Sequence, residues 1–168
     1  MADLYVTWDD YHLAIERLAA TIHESGWRFN QIVCVARGGL RVGDTLSRIF
    51  KLPLAIISTQ SYAGEAGRER GVLTVAKHMT MTTPTLGDRV LLADDLVDSG
   101  VTLDAVRRHL RGTYPALVDL RTAVLWHKAC SACAPDFYVH YLPDNPWIHQ
   151  PFEPYDRMSV RELCARAS

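Results

Sequence analysis

Three carboxylates and two hydroxyls crowd into the nine residues Asp94-Asp95-Leu-Val-Asp98-Ser99-Gly100-Val101-Thr102. An apolar run, Val90 to Ala93, leads into them, and Leu103, Val106 and Leu110 follow at helical spacing with Arg107, Arg108 and Arg111 between them. The pattern places the acids at the carboxyl end of a buried strand and the hydroxyls at the amino end of a helix. Backbone N–H groups at a helix start lack partners within the helix, and the helix dipole favours an anion there. Gly100 allows close approach of a ligand, and Ser99 and Thr102 add donors. That chemistry suits a phosphate monoester. The acidic pair repels phosphate but accepts hydrogen bonds from sugar hydroxyls, or holds a magnesium ion that neutralises a polyphosphate. A sugar phosphate that also carries a diphosphate has both ends. A bare helix cap needs one acid or hydroxyl, not five such groups.

A second turn has related chemistry. Gln31 to Ala36 reads as a buried strand running directly into Arg37-Gly38-Gly39, and Leu40 to Phe50 reads as a helix. Two glycines leave N–H groups bare, and a guanidinium forks onto phosphate oxygens. Alone, such a turn is as readily a surface loop with a solvated arginine. Beside the 94–102 stretch it becomes a second anion site.

The remaining elements frame these two turns. Thr7 followed by Asp9 and Asp10 starts an amphipathic helix with Ile15, Leu18, Ala19 and Ile22 on one face, ending at Gly26. Further strands are expected over Leu54–Ser58, Leu120–Trp126 and Asp136–Leu142. A polar stretch from Ala63 to Gly71 separates Tyr62 from Val72–Ala76, which reads as one hairpin arm with Met79 to Pro84 as the other. The alternation of strands and helices predicts an α/β fold: a Rossmann-like, mostly parallel sheet flanked by helices, with a small hood; the polar 63–71 stretch reads as an exposed loop or a flexible lid loop. Ligands of such sheets bind at the carboxyl ends of the strands.

At 168 residues the chain fits a single domain, 1–168, with a core to about 153 and a helical tail over 155–168 carrying Val160, Leu163 and Cys164. The net charge of −1 and the lack of a Lys/Arg block argue against nucleic acid as a main partner. No apolar stretch reaches membrane-spanning length, and the N-terminus lacks the features of a signal peptide, so a cytoplasmic protein is expected. Cysteines at 34, 130, 133 and 164 are too few and scattered for a disulfide scaffold. Cys130-Ser-Ala-Cys133 has the spacing of a zinc ligand pair, but no second pair matches it. Those thiols read as small buried or loop residues.

The stretch Val90 to Leu103 resembles the phosphoribosyl pyrophosphate (PRPP) motif of type I phosphoribosyltransferases: hydrophobic strand, two acids, two apolar residues, Asp, Thr or Ser, Gly, any residue, Thr. Trp147-Ile-His-Gln-Pro-Phe-Glu153 resembles the Trp-Ile-x-Gln-Pro-Trp-Asp segment of bacterial xanthine–guanine phosphoribosyltransferases, as do Tyr5-Val-Thr-Trp-Asp9 and Ala36-Arg-Gly-Gly-Leu40. The likeness implies purine salvage, with transfer of a phosphoribosyl group from PRPP to a 6-oxopurine. It implies that Arg37 and Gly38 hold diphosphate, in a loop that often carries a non-proline cis peptide. It also implies a lid that excludes water and presents Arg68 or Arg70 to the leaving group. Asp94 and Asp95 would bind the ribose hydroxyls, with Asp95 nearer Mg²⁺. Ser99, Gly100, Val101 and Thr102 would clamp the 5′-phosphate, and Asp98 would take the proton at purine N7. Lys128, at a strand end, would donate to the purine oxygen; Trp147 would stack on the base and Ile148 read its edge by main-chain groups. Solvated Lys128 and a core or interface Trp147 are the plainer alternatives. The family implies a homodimer or homotetramer. His149 stands where relatives have an acid and Phe152 where they have Trp, leaving the preferred oxopurine open. A PRPP-sensing regulator and a transferase for another nucleobase are the competing functions.

Overall fold

Thr7 starts the first helix with a full capping box: its hydroxyl accepts from the Asp10 N–H, and the Asp10 carboxylate accepts from the Thr7 N–H. The computed structural model of the chain describes residues 3–61 and 73–167. Its elements run β1 (Leu4–Tyr5), α1 (Trp8–Glu24), β2 (Gln31–Ala36), α2 (Leu40–Phe50), β3 (Leu54–Ser61), β4 (Leu73–Val75), β5 (Thr80–Met81), β6 (Arg89–Ala93), β7 (Leu96–Val97), α3 (Val101–Thr113), β8 (Asp119–Lys128), β9 (Phe137–Leu142), β10 (Ile148–His149), α4 (Pro154–Arg157) and α5 (Val160–Ala167).

The expected sheet is present. Its parallel core has the spatial order β3, β2, β6, β8, β9, and the short β4 and β5 add antiparallel on β3. The connection from β2 leads outward to β3, while β6 lies on the other side of β2. The strand order therefore reverses between β2 and β6, which is where open α/β sheets open a crevice. Alternation along β2 and β6 sends Ile32, Leu91 and Ala93 to one face, against α1 and α2 (Leu18, Ile22, Leu46). Val33, Val35, Val90 and Leu92 go to the other, against α3 (Leu103, Val106, Leu110). Both faces are thus sealed by buried aliphatic side chains, and polar groups are left to the strand ends.

Three details differ from expectation. Val72–Ala76 and Met79–Pro84 do not form a hairpin with each other; β4 pairs Leu73 with Ser61, and β5 pairs Met81 with Ala55, so both partner β3. Leu96–Val97, between the acids, forms a strand of its own beside β8. The tail, read as one helical stretch over 155–168, forms two helices, α4 and α5, with Val160 and Leu163 exposed. The stretch expected to form the lid, with Arg68 and Arg70, lies outside the described residues. A separate two-stranded sheet joins β1 to β10 in parallel, Leu4 opposite Ile148, and forms the small hood. Among the described residues no helix is long and apolar enough to cross a membrane.

Candidate active site

At the switch between β2 and β6 the strand ends open into a cleft of about 310 Å³. Arg37 and Gly38 line one side and Asp94 and Asp95 the floor, while Asp98, Ser99, Gly100 and Thr102 form the other side; Thr59, from the end of β3, completes it. Val101 is half exposed and does not line the cleft. The cis peptide lies between Ala36 and Arg37, before the glycines rather than at one.

The helices that follow the two cleft-lining turns begin without a side-chain cap. α2 starts after Gly39 and α3 after Gly100, and neither glycine offers a capping atom. The nearest substitute is the Ser99 hydroxyl, 3.4 Å from the Val101 N–H, too long to satisfy it well. α1, whose start does not line the cleft, has the complete box. The uncapped start of α3 on one side of the crevice and the Arg37 guanidinium with the Gly38 backbone on the other make a site for an anion with two charged ends. Gly100 has φ +82°, and a β-carbon there would lie 2.7 Å from the Ser131 Oγ. The turn is thus closed to other residues by backbone and neighbours alike.

The acidic floor is held by the sheet. On either side of it β6 and β7 keep the same register with β8, Ala93 opposite Ala123 and Leu96 opposite Trp126. Between them the Asp95 carbonyl accepts from the Leu125 N–H at 2.9 Å, and the Asp94 N–H donates to the Ala123 carbonyl at 3.1 Å. Asp94 is buried, and its carboxyl is pushed well above the ordinary range by burial and by the charge of Asp95. Burial also raises Asp95, opposed by the Leu96 N–H that donates to its Oδ1 at 2.8 Å. Among the described residues no cationic side chain pairs with either carboxylate. Two hard oxygen donors, crowded, desolvated and without a counter-charge, fit a divalent cation or a sugar diol.

The register also brings Asp98 and Lys128 together. Val97 lies opposite His127, so Asp98, just past the end of β7, comes level with Lys128, the last residue of β8. Lys128 is buried with its Nζ 3.5 Å from Asp98 Oδ1 and 5.9 Å from the centre of the Trp147 ring, which is 59% exposed. An open indole face beside a buried ammonium suits a flat, electron-rich ring. The Leu4 and Val6 N–H groups donate to the Trp147 and His149 carbonyls at 2.8 and 3.0 Å. Parallel pairing alternates, so the Ile148 main-chain groups point away from β1.

Asp94, Asp95, Asp98, Ser99, Gly100, Thr102, Arg37 and Gly38 are therefore gathered round one cleft, and Lys128 and Trp147 adjoin it through Asp98. Sequence reasoning missed three neighbours. Thr59 carries no motif, although it falls at the end of an expected strand. The buried Gln150, whose amide approaches Asp95 Oδ2 at 3.5 Å, stood in the resemblance without a role. Asp156, 3.5 Å from Arg37, lies in the tail beyond the resemblance.

The phosphoribosyl transferase domain family matches residues 7–157. A xanthine-guanine phosphoribosyltransferase of Gluconobacter oxydans is 34% identical over 149 residues, 88% of this chain and 83% of that protein. The crystal structure of a purine phosphoribosyltransferase from Pyrococcus horikoshii is 30% identical with a TM-score of 0.69, covering 90% of this chain and 95% of that one. A xanthine-guanine-hypoxanthine phosphoribosyltransferase of Helicobacter pylori, 22% identical, shares the fold with a TM-score of 0.76 over 98% of this chain and 99% of that one.

Proposed function

Since the chain belongs to the phosphoribosyltransferase family, we propose that it transfers the 5-phosphoribosyl group of PRPP to a 6-oxopurine, releasing diphosphate. The observation that carries this reading is a cleft with the uncapped start of α3 on one side, Arg37 and Gly38 on the other, and on its floor two acids that pair with no cationic side chain among the described residues. One anion site takes the 5′-phosphate, the other the diphosphate, and the acids take what lies between.

In this reading the Gly100 amide and the hydroxyls of Ser99 and Thr102, at the start of α3, hold the 5′-phosphate. Arg37 and the backbone at Gly38 hold the diphosphate, with Arg68 in support. Asp94 and Asp95 accept from the ribose hydroxyls and so fix the sugar ring. Mg²⁺, when bound, would supply charge neutralisation for diphosphate, and Asp95, the less buried acid of the two, would hold it. Trp147 stacks on the purine, the Ile148 main chain reads its edge, and Lys128 stabilises negative charge on its oxygen. Asp98, beside Lys128, takes the proton from N7 as the ring attacks the anomeric carbon. Cytoplasmic salvage by a homodimer or homotetramer completes the proposal.

The test is diphosphate release from PRPP with Mg²⁺ and a panel of xanthine, guanine, hypoxanthine, adenine, uracil and orotate. Turnover confined to oxopurines supports the proposal and ranks the substrates. Silence with every base while PRPP still binds would replace it with a metabolite-sensing role.

A further inference from the structure

The loop after β8 lies behind the catalytic turn and meets it residue by residue. The Cys130 thiol is 3.3 Å from Asp98 Oδ1 and 3.7 Å from the Asp98 carbonyl. The Ala132 N–H donates to the Ser99 carbonyl at 3.0 Å. The Cys133 thiol is 3.4 Å from the Gly100 carbonyl. The loop is itself anchored: the Cys130 N–H donates to Asn145 Oδ1 at 2.8 Å, and the Ser131 Oγ donates to the Cys133 carbonyl at 2.7 Å.

We propose that Cys130–Cys133 is a positioning bracket for the reaction, with the Cys130 thiol orienting Asp98 and the Cys133 thiol fixing the backbone of the phosphate-holding turn. The inference rests on the phosphoribosyl-transfer reading of that turn.

Three observations carry it. Cys130 and Lys128 both address the same Asp98 oxygen, Oδ1, which leaves Oδ2 without a partner among the described residues and open to a proton from the base. A thiol is a weak donor, so it fixes the carboxylate's rotamer without quenching its basicity as a second cation would. Each thiol addresses an oxygen of the turn, an interaction that needs the S–H form. The Asp98 carboxylate itself raises the Cys130 thiol above its ordinary value and so keeps it protonated. Cys133 acts on a different part of the turn, one where Gly100 has φ +82° and the backbone has no side chain of its own to hold it.

The two thiols therefore govern separable steps, and a KM-against-kcat split tests them. Cys130→Ala should lower kcat about tenfold while the KM for PRPP stays within about twofold, the loss of one hydrogen bond to a charged group. Cys130→Ser keeps a donor of similar reach and should restore most of that turnover. Cys133→Ala should instead raise the KM for PRPP by about threefold or more with kcat little changed, the loss of one neutral hydrogen bond. Full turnover in Cys130→Ala, or the same kinetic pattern in both alanine variants, overturns the proposal.

A second readout needs no turnover. The pH dependence of Cys130 alkylation by iodoacetamide, followed on the Cys130 peptide by mass spectrometry, is compared between the unaltered protein and Asp98→Asn. The midpoint should move to lower pH in the variant, because the group that raises it is neutral there. An unchanged midpoint overturns the contact on which the bracket depends. If the unaltered protein turns over no base but the midpoint moves, the functional reading fails, and with it the bracket's role in the reaction, while the Cys130–Asp98 contact stands.

Discussion

Lys128 and Asp98 form an unequal pair: 3.5 Å apart, the ammonium is buried at 8% side-chain exposure and the carboxylate 57% exposed. The buried member cannot leave, so the exposed one is free to work. Asp98→Asn should keep PRPP binding and lose about a hundredfold or more in kcat, the range of a missing general base. Steady-state kinetics in both substrates decide it, and undiminished kcat would remove Asp98 from the proton-transfer step.

The acidic floor gives a pH dependence of the ligand-free protein. Below its ordinary value of 3.8 the Asp94 carboxyl is protonated folded or unfolded. Between 3.8 and its raised value only the folded protein keeps that proton, so stability falls as the pH rises through the window and levels off above it. Asp94→Asn removes this decline and should melt higher than the unaltered protein at neutral pH, by about 2 °C or more, the shift that roughly 1 kcal/mol gives in a domain of this size. PRPP turnover should fall in the same variant. Thermal melts from pH 4 to 8 check the first part; parallel curves for the two proteins would mean that Asp94 is not charged against its surroundings.

A β-carbon on Gly38 would sit 2.6 Å from Asp95 Oδ1 and 2.8 Å from its Cγ. Gly38→Ala should therefore displace Asp95, cost about 1–3 kcal/mol of stability, and raise the KM for PRPP. Calorimetry and kinetics on the variant measure both effects. An unchanged KM would show that the carboxylate turns aside without loss.

Arg37 pairs with Asp156 of α4 at 3.5 Å. Both side chains are exposed, at 87% and 58%, so the pair is weak. Diphosphate has to displace it. Asp156→Ala should lower the KM for PRPP by about twofold, as expected for a surface pair worth a few tenths of a kcal/mol, and leave kcat alone. A rise in KM would mean that Asp156 instead presents Arg37 to the substrate.

How much of this was legible in the sequence depended on the range of the forces involved. α2 was legible to the residue, because a buried strand, two glycines and an apolar stripe each mark a boundary locally. The resemblance gave Asp98 and Lys128 separate roles, but their meeting rests on a constant register from Ala93 to His127, which belongs to strand pairing and leaves no mark on either segment. Strands of two residues, such as β1, β5, β7 and β10, carry no periodicity at all. The hairpin misreading has the same origin: Thr80–Met81 has strand character, and only tertiary pairing decides that β3 is its neighbour. The cysteine loop was set aside as bland because thiol spacing suggests metals or disulfides, while its contacts here are with a turn about thirty residues away.

The small sheet of β1 and β10 has a consequence for how the protein comes into being. His149 meets Asp3 at 2.9 Å, across 146 residues of sequence, two residues on from Trp147, whose ring centre lies 5.9 Å from the Lys128 ammonium. As the chain leaves the ribosome, the Asp94–Thr102 turn and the strand β8 that holds its acidic floor are both made before this closure is possible. The Leu4 N–H that anchors the Trp147 carbonyl therefore waits for almost the whole chain, and the pairing is finished only when β10 finds β1.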